Sequence, residues 1–283
     1  MRNFLWYSFL GVVGLFALVG VLFVAVFVAM RFDLLNVRGS SLERNAFFMQ
    51  GQSTVLAEDV PDCIDGQPAC DWKETPQWET IKGGLIKDQE VIAKVSMQTG
   101  VPARLIAAAA VPEQLRFFTA EREVFKRYFE PLKILGSLSQ FSLGVSGIKQ
   151  ETAEEIELHA ASTTSPFYPG AGMRQLITYP PGVDQKAELY NRLTNPKDHY
   201  YSYLYTALYI KEIQTQWQRA GFSIANSPGV VVTLFNIGFQ NSNPHAAPAV
   251  GGAGIVIGGV RYTYGQLGES FYNSAELTDI FPK

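Results

Sequence analysis

Leu105-Ile106-Ala107-Ala108-Ala109-Ala110-Val111-Pro112-Glu113 is apolar on every side until its last residue. A helix with no polar face belongs inside a core, so residues Ala103 to about Val111 read as the buried central helix of a domain. Pro102 suits the first turn of that helix, and Gly100 ends the one before it, Lys87 to Gln98, which carries apolar Val91, Ile92, Val95 and Met97. Beyond Glu113 lie Leu115, Phe117, Phe118, Phe125, Tyr128 and Phe129, read as a second, separate helical stretch. A carboxyl at the exit of a buried helix, among apolar side chains, fits a proton-donating acid. The plain alternative is a helix-end ion pair of Glu113 with Arg116 or Arg122.

Further along, Gly136 to Ser146 is rich in Ser and Gly and reads as loop. A helix from Gln150 through Glu157 has Glu151, Glu154 and Glu155 near its positive end. Residues 162–183 read as a long surface loop. Asp198 is placed to cap a long helix reaching Arg219, and Ser227-Pro228 to open another that runs to Phe235. Ile255 to Tyr264 alternates around Gly258-Gly259, the pattern of a β-hairpin, and a last short helix spans Gln266 to Tyr272.

Toward the N-terminus, Asn3 to Met30 carries no charged side chain. As a helix it would extend roughly 40 Å, beyond the ~30 Å of bilayer hydrocarbon, and it exceeds the apolar core of a cleavable signal. The expectation is an uncleaved anchor over residues 1–30, held in lipid through residues 4–30. Arg2 lies on one side of it and Arg31, Arg38 and Arg44 on the other, so charge alone leaves the orientation open. Residues 31–84 read as a stalk and ordered lead-in, and 85–283 as one domain.

The only cysteines, Cys63 and Cys70, sit in a turn-rich segment. They are candidates for a small disulfide loop in an oxidising compartment, the alternative being two surface thiols. His159, His199 and His245 are too scattered for a zinc motif, and no metal or cofactor is expected. A net charge of −3, with 17% charged residues, excludes the basic stripe that nucleic acid requires.

Three segments in order carry a resemblance: Glu113 at the end of its Ala-rich helix, Ser142-Leu143-Gly144-Val145-Ser146-Gly147-Ile148, and Leu234-Phe235-Asn236-Ile237-Gly238. Together they resemble the lysozyme-like fold of soluble-type lytic transglycosylases and goose-type lysozymes, over about residues 85–240. Ser142, Gly144, Ile148, Thr152 and Ala153 fall in register on that family's string after the catalytic Glu. Gly147 stands where the family has Gln, and Gln150 where it has Pro. Glu-Gln-Leu-Arg at 113–116 replaces the common Glu-Ser-x-Phe.

The resemblance implies a mainly α, lysozyme-like domain with a small C-terminal β-hairpin, preceded by one transmembrane helix. It implies a bacterial inner-membrane protein whose domain faces the periplasm or exterior and cuts peptidoglycan glycan strands. Glu113 would be the acid/base, with Ser142, Gly144 and Asn236 lining the cleft. Tyr168, Tyr179 and Tyr262 are candidates to stack on sugars. A single Glu suffices for a transglycosylase; the neighbouring readings are a water-using muramidase and an inactive glycan-binding protein of the same fold.

Overall fold

A computed structural model describes residues 62–63, 71–119 and 145–283. The proposed anchor, Cys70, Ser142 and Gly144 lie outside the described residues. Among those described, no helix is long and apolar enough to cross a membrane. The fold is mainly helical with one small antiparallel sheet.

Helix α1 (Pro76–Lys87) opens on Thr75, whose hydroxyl accepts from the Trp78 N–H, with Pro76 in the first turn. It buries Trp78, Ile81 and Leu85, a spacing that puts one stripe on the core. Trp78 meets Trp72 and Phe271 edge-on. The packed body therefore begins ahead of residue 85, within the stretch read as a stalk and ordered lead-in. Helix α2 (Gln89–Thr99) buries Ile92, Val95 and Thr99 and stops at Gly100, which takes the left-handed conformation there.

Helix α3 (Ala103–Thr119) is the centre of the domain. Every residue from Arg104 to Glu113 is buried, which is possible because the alanines let neighbours approach from all sides. The helix does not stop at Val111; it continues through Pro112 to Thr119. An interior proline removes one helical hydrogen bond and crowds the carbonyl one turn back, a cost that the packing around this helix has to outweigh. Glu113 thus sits within a helix, not at the end of one.

Helix α4 (Gln150–Ala161) follows the turn at 145–147. Helix α5 (Gln185–Thr194), in a region that carried no helix assignment from sequence, is capped by Asp184. Helix α6 (Tyr200–Arg219) is nearly as enclosed as α3, with residues 202–210 all buried. The Asp198 carboxylate accepts from its Tyr200 N–H at 2.9 Å. Helices α7 (Pro228–Ile237) and α8 (Tyr264–Asn273) pack together and against α3. At their crossing a Cβ on Gly268 would fall within 3 Å of the Val232 side chain, so glycine sets the spacing.

Strands β1 (Gly254–Ile257) and β2 (Val260–Thr263) form the expected hairpin, with Ile257 opposite Val260. Gly258 and Gly259 between them both have positive φ, as a tight two-residue turn demands. Thr263 and Gln266 then close a capping box at the start of α8. The segment ahead of α1 returns to this hairpin: the Cys63 N–H donates to the Arg261 carbonyl at 2.7 Å, and Asp62 bridges to Arg261. Cys63 is disulfide-bonded.

Candidate functional site

Glu113 lies on α3 with only 7% of its surface exposed, between buried Val111 and Leu115. One turn on, Arg116 Nη2 donates to both carboxylate oxygens, at 2.8 Å to Oε1 and 2.5 Å to Oε2. The ion-pair partner named from sequence is therefore present. Burial works against the Arg116 charge, but Glu113 outweighs it and holds the guanidinium above its ordinary pKa. The pair is unevenly covered, 27% of the Arg116 side chain being exposed against 8% for Glu113.

The second segment closes on this carboxyl directly. Gly147 has φ +63°, and a Cβ placed there would overlap the Glu113 carboxyl group. Any side chain at 147 would have to displace Glu113. The turn is tied to both long helices. Gln114 Nε2 donates to the Val145 carbonyl, and the Val145 N–H donates to Ser202 Oγ on α6 at 3.1 Å. The Ser146 hydroxyl is buried and finds no hydrogen-bond partner among the described residues.

The third segment arrives through an intermediary. Asn236 Oδ1 accepts from the Ala253 N–H at 2.8 Å, and a Cβ on Gly252 would lie 2.9 Å from that oxygen and 3.2 Å from Tyr264. Tyr264 in turn donates its hydroxyl to the Ala109 carbonyl on α3 at 3.2 Å and sits near enough to Arg116 to act on its charge. Glu113, Arg116, Tyr264, Gly252 and Asn236 thus form one continuous set of neighbours. Tyr264 carried no signal in the sequence beyond its place after the hairpin.

The aromatic candidates divide. Tyr262 is buried to 3% exposure on the inner face of the hairpin, so it packs in the core and offers no ring face to a sugar. Tyr179 is half-buried, with one face covered by the Arg192 guanidinium at 4.2 Å and its hydroxyl on Glu157. Arg192 is itself enclosed between Tyr179 and Tyr201 and donates to the Ile177 and Thr178 carbonyls. Tyr168 is half-buried beside Arg219.

A second polar cluster, unread in the sequence, lies between α4 and α6. Glu212 is fully buried, and burial, aided by the nearby Glu155 charge, pushes its pKa up to about 10. Its Oε2 is 2.9 Å from His159 Nδ1, and burial holds that imidazole below its ordinary pKa. At neutral pH this is a hydrogen bond between a neutral acid and a neutral imidazole, not an ion pair. His159 is walled by Phe167 and Phe239.

Among the described residues no group of His, Cys, Asp or Glu is placed to hold a metal ion. No protein-family model, curated protein or solved structure matches the chain.

Proposed function

We propose that the protein is a membrane-anchored lytic transglycosylase that cleaves the β-1,4 bond between N-acetylmuramic acid and N-acetylglucosamine in peptidoglycan. The observation that supports this reading is the closing of the 145–147 turn on one enclosed carboxyl: Gly147 lies against Glu113 and Val145 is tied to Gln114, while Asn236 is linked only at a remove, through Gly252 and Tyr264. Glycoside cleavage needs an acid at the leaving oxygen and stabilisation of an oxocarbenium-like centre.

Glu113 supplies the proton to the bridging oxygen as the bond to the anomeric carbon breaks. The resulting carboxylate then takes the proton of the sugar's own 6-hydroxyl while that oxygen bonds to the anomeric carbon. Glu113 ends as it began, no water is consumed, and the product is a 1,6-anhydromuramoyl end. If water replaces the 6-hydroxyl, the same carboxyl gives muramidase hydrolysis.

A second reading has an observation in its favour. The double contact of Arg116 Nη2 with Glu113, with Gly147 in place of the family's Gln, suits a glycan-binding protein that has lost turnover. Mass spectrometry of products from purified peptidoglycan, wild type beside Glu113→Gln, separates the readings. The expected result is anhydromuropeptides from wild type alone, with the variant folded. Reducing ends would assign a muramidase, and glycan binding without product would assign the binding protein.

A further inference from the structure

The hairpin has two outer edges, and the chain treats them differently. On the β2 side the lead-in lies alongside: the Cys63 N–H donates to the Arg261 carbonyl at 2.7 Å, and Asp62 forms a parallel bridge with Arg261. Two residues on, the Thr263 N–H donates to Gln266 Oε1 at 2.9 Å. Arg261 and Thr263 therefore turn their backbone groups away from β1. In an antiparallel pair, residues that turn outward stand opposite each other. Their partners in register, Val256 and Gly254, thus point their own N–H and C=O groups away from β2 on the far side. None of these groups is hydrogen-bonded within the described residues.

An unpaired edge is a template for one more strand, and proteins ordinarily blunt it with charge, proline or a covering segment. Among the described residues β1 has none of these. From Gly251 the chain reads Gly-Gly-Ala-Gly-Ile-Val-Ile, and a glycine within a strand marks a place where another backbone can come close. Val256 is 41% exposed, while Ile255 and Ile257 on the opposite face are buried and hold the strand on the core. The edge also starts at the candidate site: the Tyr264 N–H donates at 3.0 Å to the carbonyl of Ala253, the residue before Gly254, and Tyr264 is the neighbour of Arg116.

We propose that the free edge of β1 binds the stem peptide of peptidoglycan as an added strand, with Gly254 and Val256 supplying the backbone hydrogen bonds. The inference rests on the transglycosylase reading and adds to it the part of the substrate read beside the sugar. That reading puts the scissile bond at the anomeric carbon of N-acetylmuramic acid, the sugar from which the stem peptide hangs. The peptide therefore begins within one sugar of Glu113, where the edge begins too. Its size agrees, because two outward residues offer two donors and two acceptors, enough for a peptide of a few residues. Main-chain pairing supplies the affinity in such complexes. Stem peptides contain D- as well as L-residues, and glycine at the contact admits a side chain of either hand.

The test uses the full-length protein as wild type, Val256→Pro and Val256→Ala. Proline at 256 removes an outward N–H that no hairpin bond uses and sets its ring in the path of an added strand; edge strands tolerate it. Alanine keeps the N–H. Retention is measured on intact peptidoglycan and on the same material stripped of stem peptides by an amidase, with a synthetic stem pentapeptide as competitor. Wild type should be held at least about tenfold more tightly by intact material, a preference that falls below about twofold in Val256→Pro and persists in Val256→Ala. The pentapeptide should displace wild type from intact material.

Amide hydrogen exchange of wild type gives a readout that needs no variant to fold. The pentapeptide should slow exchange at Gly254 and Val256, whose N–H groups it covers, and leave Ile255 and Ile257 unchanged. Equal retention of wild type on the two materials, or exchange at 254 and 256 indifferent to the pentapeptide, would overturn the proposal. So would a wild-type dimer that Val256→Pro dissociates, which would give the edge to a second copy of the chain. Release of anhydro ends is followed in the same incubations. Its absence with the peptide preference intact ends the transglycosylase reading and leaves the docking standing.

Discussion

Burial sets the protonation of Glu212 and His159 in opposite directions, and the two together make a definite pH signature. Glu212 is raised from 4.5 to about 10, whereas His159 is lowered from 6.5. Below 6.5 the two act against each other: the raised Glu212 costs more stability as pH rises from 4.5, while the lowered His159 costs less as pH rises to 6.5. Above 6.5 the histidine is neutral in both states and Glu212 keeps a proton that the unfolded chain has lost, so stability falls as pH rises toward about 10. Urea unfolding should therefore show wild type weakening as pH rises from 6.5 toward about 10 relative to Glu212→Gln, which has no carboxyl to titrate. Parallel profiles for the two proteins would contradict the assignment. Nothing near Glu212 in sequence announces this state: it sits on a helix of ordinary polar-and-apolar appearance, and its neighbours come from α4. Glu113 was legible because the apolar character around it is local. Its partner Arg116 was legible as one of two possibilities because it lies one turn away.

Elements meet at defined pins, and the joint of α1, α2 and α6 has one that titrates. Asp88 Oδ2 accepts from His199 Nδ1 at 2.7 Å and from the Tyr203 hydroxyl at 2.9 Å, fixing the start of α6 to the α1–α2 corner. Burial alone would raise Asp88, but the bonds from His199 and Tyr203 hold it below 3.8; the bond to Asp88 holds His199 above 6.5. The aspartate's share of stability is present above 3.8 and lost as pH falls through its folded value. The histidine's share is present below 6.5 and lost as pH rises through its folded value. The cost of Asp88→Asn should thus be largest between 3.8 and 6.5 and shrink above neutrality, read as the difference in thermal midpoints across pH. A pH-independent difference would mean that the tyrosine bond alone matters. Hairpin, α6 and the α7 start were readable because their signals (Gly-Gly, Asp198, Ser227-Pro228) act within a few residues. The extension of α3 past Pro112 was not, since packing on every side overrides the local preference to break.

Across the whole molecule, one buried cation joins the central helix to the end of the chain. Arg104, fully enclosed in the first turn of α3, donates to the carbonyls of Phe271, Tyr272, Ser274, Glu276 and Phe281 at 2.7–3.0 Å and stacks on the Phe271 ring. These partners stand more than 160 residues away, so nothing near Arg104 in the sequence announces them. Arg104→Met keeps the bulk and strands the carbonyls, and should cost at least about 3 kcal/mol in denaturant unfolding. Lysine should rescue little, because three donors on a point charge cannot span five acceptors. A loss below about 1 kcal/mol would show that water replaces the guanidinium freely.

The fastening of Cys63 to the Arg261 carbonyl has a mechanical consequence. Tension applied to the chain ahead of residue 62 meets, among the described residues, the edge of a two-stranded ribbon at the Cys63 bond and the Asp62 bridge. When these part, the load passes along the chain to Trp72 and α1, where Trp78, Ile81 and Leu85 hold it from within the core.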